Sequence, residues 1–199
     1  MDQVIQSKAG PCWAAGSRRV GRGLVVAVLL VLAAWPCLAQ SSRASETEIE
    51  AAYLYNFGKF VTWPAQPEPF EICVLGKDPF GPVLDATVSG ESIGTRRVAV
   101  ARIANARDAL ACQVLFISDQ EEGRLRAILT VVKNAGVLTV SDIPHFAERG
   151  GMIEFVQREG RIRFEVNLDA AQESKLSLSS ELLKVAVRVV GKSAGEDRR

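Results

Sequence analysis

Few residues in this chain are of types that make or break bonds. His145 is the only histidine, so no multi-histidine metal set can form. As a general base it would need a nucleophile and an orienting partner, and no neighbouring motif supplies them. A lone histidine after Pro144 reads as a surface or capping residue on a loop. Gly76-Lys77-Asp78-Pro79-Phe80-Gly81 follows a strand-like run and opens a helix-like one, where phosphate loops sit. It has the spacing of neither the Walker nor the dinucleotide glycine pattern, and a turn capped by Asp78 is the simpler role. Gly150-Gly151 has the makings of an anion-binding nest but reads better as the turn before a hairpin. Glu154, Glu159, Glu165 and Asp169 offer paired carboxylates. Interleaved with Arg158, Arg161 and Arg163, they read instead as cross-strand charge pairs on a wet sheet face. Cys73 and Cys112 form no C-x-x-C, which argues against a dithiol oxidoreductase. The expectation is no catalytic residue, no metal set and no cofactor.

Binding is the chemistry left to consider. EAAYLYNFGKFVTWP places Tyr53, Tyr55, Phe57, Phe60 and Trp63 within eleven positions. Tyr53, Phe57 and Phe60 recur at three- and four-residue spacing, which predicts the inner face of a helix. Asn56, Lys59 and Thr62 fall off that stripe. With Ser177, Ser179 and Ser180 they make the candidate polar cleft for a ligand or partner, although ordinary surface and capping roles would leave the same signature.

The elements that must carry these residues follow from periodicity and punctuation. Ser45-Glu46-Thr47-Glu48 has the form of a capping box, and Ile49, Tyr53, Phe57 and Phe60/Val61 continue it as an amphipathic helix. It is expected to end near Trp63, before Pro64. Residues 69–77 read as a buried strand, and Asp78-Pro79 as the start of a short helix reaching about Ala86. Strands are predicted over 96–103, 111–118 and 137–142. The run 111–118 is nearly continuous in apolar content, as in a central parallel strand. A helix over 121–134, closed by Gly136, lies between the last two. Residues 152–157 and 161–167 alternate around Arg158-Glu159-Gly160 as a hairpin. Residues 178–190 predict a final amphipathic helix with Ser179 or Ser180 as N-cap and Leu182, Leu183, Ala186 and Val190 as its buried stripe. The sum is a three-layer α/β/α sandwich on a mixed, mostly parallel sheet with a C-terminal hairpin.

The start of the chain has a different composition. Arg18, Arg19 and Arg22 precede an apolar run of twelve, residues 24–35, and Cys37-Leu38-Ala39 follows. A basic start, a short apolar core and a small-residue exit predict a secretory signal peptide over 1–39, cut before Gln40. A core of that length falls short of the ~20 residues needed to span a bilayer. The remaining residues, 40–199, carry 20 basic and 22 acidic side chains, enough chain for one domain. That near balance offers no electrostatic case for nucleic acid. Cys73 and Cys112 are the cysteines left. In an oxidising compartment two cysteines read as one disulfide, with two buried free thiols as the alternative.

The blocks AAYLYNFGKFVTWP, ICVLGKDPFG, CQVLFIS, VLTVSDIPHFAERGGMIEF, IRFEVNLDAA and LSLSSELLKVA, in that order over residues 51–186, resemble the YfiR-like family of exported bacterial proteins. The resemblance implies a periplasmic α/β domain. It also implies a regulator that represses an inner-membrane diguanylate cyclase by binding its periplasmic sensor region, lowering cyclic-di-GMP and biofilm formation, with dependence on disulfide redox state. Cys73 and Cys112 match the family's recurring pair and bracket the first and third strands, which suits a bridge between neighbouring strands or their ends. The best understood member has a second disulfide in its C-terminal half. Here no cysteine lies beyond Cys112, so a switch resting on that second bridge does not carry over. A small-molecule ligand and a homodimer are further partnerings expected of such a domain.

Overall fold

The computed structural model describes residues 35–65 and 67–191. The chain divides into Met1–Ser41, of which only the start of a helix is described, and the folded unit Ser42–Arg199. The expected leader therefore lies largely outside the described residues, as does the tail beyond Gly191.

Helix α1, Trp35–Phe60, departs from its expected bounds at both ends. It runs through Ser45 instead of starting there. Pro36 suits a first turn, and residues 37–57 hold neither glycine nor proline to stop it. It stops at Phe60 because Val61–Thr62 leave it to form strand β1. Its inward face is Ala51, Leu54, Tyr55 and Phe57, while Ile49 and Phe60 are exposed. The stripe is therefore rotated from the one expected, with Tyr53 half-buried at its edge. Gly58 lets the helix approach the sheet, since a Cβ there would stand 2.2 Å from Ile93 Cδ1.

The remaining strands are β2 Phe70–Leu75, β3 Ser92–Ile93, β4 Arg96–Ile103, β5 Val114–Ile117, β6 Leu138–Ser141, β7 Ile153–Arg158, β8 Arg161–Asn167, β9 Ser177–Leu178 and β10 Arg188–Val190. Eight of them form one sheet in the order β10-β8-β7-β6-β5-β2-β4-β3. β4, β2, β5, β6 and β7 run parallel. β8 returns antiparallel to β7, and Glu159-Gly160, both at positive φ, make the tight two-residue turn that suits a twisted hairpin. The mixed sheet with its hairpin agrees with the sequence reading.

Alternation along the central strands splits the core in two. Ile72 and Val74 of β2, with Val114 and Phe116 of β5, face α1 and α2, Pro82–Val88. Cys73, Leu75, Leu115 and Ile117 face α3, Leu125–Val132. That makes three layers. Cys73 and Cys112 form a disulfide with Cα atoms 6.0 Å apart, joining β2 to the residues just before β5.

Several predicted elements are shorter or differently punctuated. Asp78 does not cap a helix. Its Oδ1 accepts from the Phe80 N–H at 2.7 Å, closing a turn that buries Phe80 against Phe116, with ring centroids 4.8 Å apart, and α2 starts four residues later. The helix expected over 121–134 begins as a 3-10 segment, Asp119–Arg124. The helix expected over 178–190 is three elements: β9, α5 (Ser180–Val185) and β10. Val187, Val189 and Val190 are β-branched and fit a strand beside β8 better than a helix. One further helix, α4, Leu168–Glu173, follows β8 directly.

Candidate functional site

The two stretches proposed for a polar cleft are brought together, but as a ladder. β1 and β9 pair antiparallel, with Thr62 opposite Ser177 and Val61 opposite Leu178, and the Ser179 N–H donates to the Phe60 carbonyl at 2.9 Å. Ser179 is the N-cap of α5, its hydroxyl accepting from the Leu182 N–H at 3.2 Å, and Ser180 is exposed beside it. Lys59 lies over the Tyr55 ring, 4.0 Å from its centroid. Only Asn56 of the six lines the concavity that this ladder creates.

That concavity is a groove of about 340 Å3 between α1 and α5. Its floor is Phe57, Phe164 and Leu182, each nearly or fully buried, and its rim is Phe60 (41 % exposed) and Val185 (59 % exposed). Tyr53 stands edge-on to Phe164, with centroids 5.4 Å apart. Asn56 and Glu181 are the polar side chains in the lining. Glu181 is held below the usual carboxylate range by its own backbone N–H and then by the Ser179 hydroxyl. Sequence reading missed this site because its two walls lie more than a hundred residues apart. The signal available was the unmatched apolar character of Phe60 and Val185.

Beyond Val185 the chain crosses into a charged rim. The Val187 N–H donates to the Phe164 carbonyl at 3.0 Å, which ties the rim to the groove floor. Glu165, buried, accepts from Arg188 Nε at 2.6 Å and from Arg158 Nη2 at 3.2 Å. Arg188 also reaches Glu148 at 2.8 Å, and His145 Nδ1 is 3.3 Å from the same carboxylate. Arg188 holds Glu148 low, and the Glu165 and then the Glu148 carboxylates hold the Arg188 guanidinium charged. Glu154 is buried as well, accepting from the His145 and Ala147 N–H groups at 2.9 and 3.1 Å. The wet-face reading of Glu154 and Glu165 is thus corrected. The loop 145–148 folds over that face, and its backbone donors require an acceptor. Asp169 lies outside this cluster, and Glu159 and Arg161 remain at the exposed hairpin turn.

A second concavity of about 480 Å3 sits over the carboxyl ends of β2, β5 and β6 and is lined by Glu46, Glu50, Asp78, Asp119 and Asp142 with Lys77. Burial first, then the Asp142 and Glu46 carboxylates, push Glu50 up to about 7.

The described residues thus form a three-layer α/β domain with an apolar groove, a rim of paired charges and a disulfide that joins β2 to the residues just before β5. The chain belongs to the YfiR/HmsC-like family, whose model matches residues 47–187, and that family is one of periplasmic regulators. Among solved structures, the ABC domain in complex with L-Trp from Streptococcus pneumonia aligns at a TM-score of 0.51 with 11 % identity, covering 70 % of this chain and 60 % of that one. A conserved domain protein from Vibrio cholerae aligns at 0.46 and 11 %, covering 60 % of this chain and 54 % of that one. The chain thus spans less than two thirds of either structure. The first likeness shows the α/β fold alone.

Proposed function

We propose that this protein is a periplasmic regulatory binding protein that represses a membrane diguanylate cyclase by docking on its periplasmic sensor region, lowering cyclic-di-GMP signalling and biofilm formation. It is exported by its leader, cut near Ala39/Gln40, and works without catalysis. Family membership supports the class of partner. The observation that carries the reading is the groove between α1 and α5, where Phe60 and Val185 expose apolar surface next to a buried aromatic floor. Such a surface is what a helix or loop of a partner covers.

The test pairs two measurements. Deleting the protein should raise cyclic-di-GMP, and the purified chain should bind the isolated periplasmic region of the cyclase whose output rises. An unchanged nucleotide level on deletion would sink the reading.

A second reading, a small-molecule binding module without a cyclase partner, is favoured by the volume of the same groove, about 340 Å3, which falls in the range of ligand sites. It requires a compound that raises the melting temperature of the folded chain. A broad metabolite screen with no such shift would dismiss it.

A further inference from the structure

Glu71 and Cys73 are two apart on β2, so their side chains leave the same face of the strand. Cys112 reaches that face from the next strand's lead-in, where the Gln113 N–H donates to the Glu71 carbonyl at 3.0 Å. One carboxylate oxygen and the two sulfurs lie within 4.8 Å of one another. Among the described residues the half-buried Glu71 carboxylate has no hydrogen-bond or ion-pair partner. A groove of about 390 Å3 opens onto Glu71, Cys112 and Gln113, while Cys73 is fully buried. Cys112 itself is 3 % exposed, so the groove marks the side from which a reductant approaches the bridge.

We propose that reduction of the Cys73–Cys112 bridge creates a zinc site made of Glu71, Cys73 and Cys112. A dithiol supplies the two electrons. One of its sulfurs attacks Cys112 Sγ, the S–S bond breaks and Cys73 leaves as a thiolate that takes up a proton. The second sulfur of the reductant then closes its own disulfide and releases Cys112 as a thiol. Zinc displaces both thiol protons on binding. Two thiolates and one carboxylate fill three tetrahedral positions, and the fourth faces the groove and takes water. Zn–S bonds of about 2.3 Å set the sulfurs about 3.8 Å apart. With the Cα atoms 6.0 Å apart, side-chain rotation reaches that spacing without moving the strands. Thiolate ligands select zinc over the hard cations. The inference stands apart from the proposed partner.

The test uses the purified protein, oxidised or reduced with dithiothreitol and freed of it under nitrogen, with zinc alone as the probe. Native mass spectrometry should show one zinc on the reduced chain and none on the oxidised one, and zinc should raise the melting temperature of the reduced chain. Glu71→Gln, a half-buried position, keeps the fold and both thiols and should bind at least tenfold more weakly. No zinc on the reduced chain would overturn the proposal. So would a fall in melting temperature, which marks thiols that bind only when unfolded, or a Glu71→Gln affinity equal to that of the wild type.

Discussion

Phe164 of β8 stands edge-on to Phe57 of α1, with ring centroids 5.2 Å apart and planes at 79°. This contact links the packing of the domain to its exposed groove. Its buried side holds the first helix on the sheet, and its open side is the floor on which a partner would rest. Phe57→Ala should cost about 3–5 kcal/mol, the usual range for a buried aromatic, so losing function that way says nothing about docking. The surface has to be tested from its rim.

Val185→Glu is the variant for that purpose. Val185 is 59 % exposed at the end of α5, so a charge there should leave stability within about 0.5 kcal/mol. A partner that buries the groove would have to desolvate the new carboxylate, and affinity should fall at least about tenfold. Calorimetric titration against the periplasmic region of the proposed cyclase partner reads this directly. Full affinity with an intact fold would move the contact away from α5.

The crevice at the carboxyl ends of the parallel strands predicts a pH dependence. Glu50 titrates at about 7 in the folded chain, against an ordinary value of 4.5. The folded state therefore binds the proton more tightly than the unfolded one. Its contribution is fully present below pH 4.5 and is lost as pH rises through 7. Glu50→Gln should stabilise the protein by about 1–3 kcal/mol at pH 8 and change it little near pH 4.5. Urea titrations at the two pH values measure the difference. An equal effect at both would mean that Glu50 is not the group responsible.

How far the sequence carried is clearest at particular residues. β2, β5 and β6 were legible because Ile72/Val74 and Leu115/Ile117 sit in runs too apolar for anything but a covered strand, and the Cys73–Cys112 pair followed from counting. The segment 178–190 misled, because six helical residues and three strand residues in succession leave a mixed apolar pattern that a single helix fits equally well. The Val187 N–H on the Phe164 carbonyl and the parallel register of Arg188–Val190 against β8 decide it. The ladder of Thr62 and Ser177 lies below what periodicity detects, since two residues have no period. Glu154 and Glu165 looked solvated because alternation places them outward, and nothing in the hairpin announces that a loop and Arg188 close over them.

The disulfide joins residues 39 apart in sequence, and in the chain-entropy picture it stabilises by about 4 kcal/mol. Thiol titration of the processed chain that the proposed export would yield, Gln40–Arg199, should find no free sulfhydryl until it is denatured and reduced. Cys73→Ser/Cys112→Ser should lower the urea midpoint, with cellular abundance falling alongside it. A double variant that stays abundant and stable yet lacks the proposed repression would show the bridge to be regulatory.

The last strand gives the sharpest test of how the groove is held. Among the described residues β10 pairs only with β8, in parallel register from Arg188–Glu165 to Val190–Asn167, and three residues of edge strand have little stability alone. What fastens it is Glu165, 3 % exposed, which holds Arg188 of β10 and Arg158 of β7 at once. Both arginines are substantially solvated, so the ion pairs are worth less than fully buried ones. Glu165→Ala is expected to cost about 1–3 kcal/mol, mostly by releasing the edge. Hydrogen exchange should show this locally, with faster exchange over 187–190 and unchanged protection in β2 and β5. If β10 is what sets the position of α5, the same variant should weaken partner binding even though Glu165 never touches the partner, and Glu165→Gln, which keeps the acceptor oxygen, should recover part of both effects. Uniform loss of protection across the sheet would instead make Glu165 a general stabiliser of the hairpin.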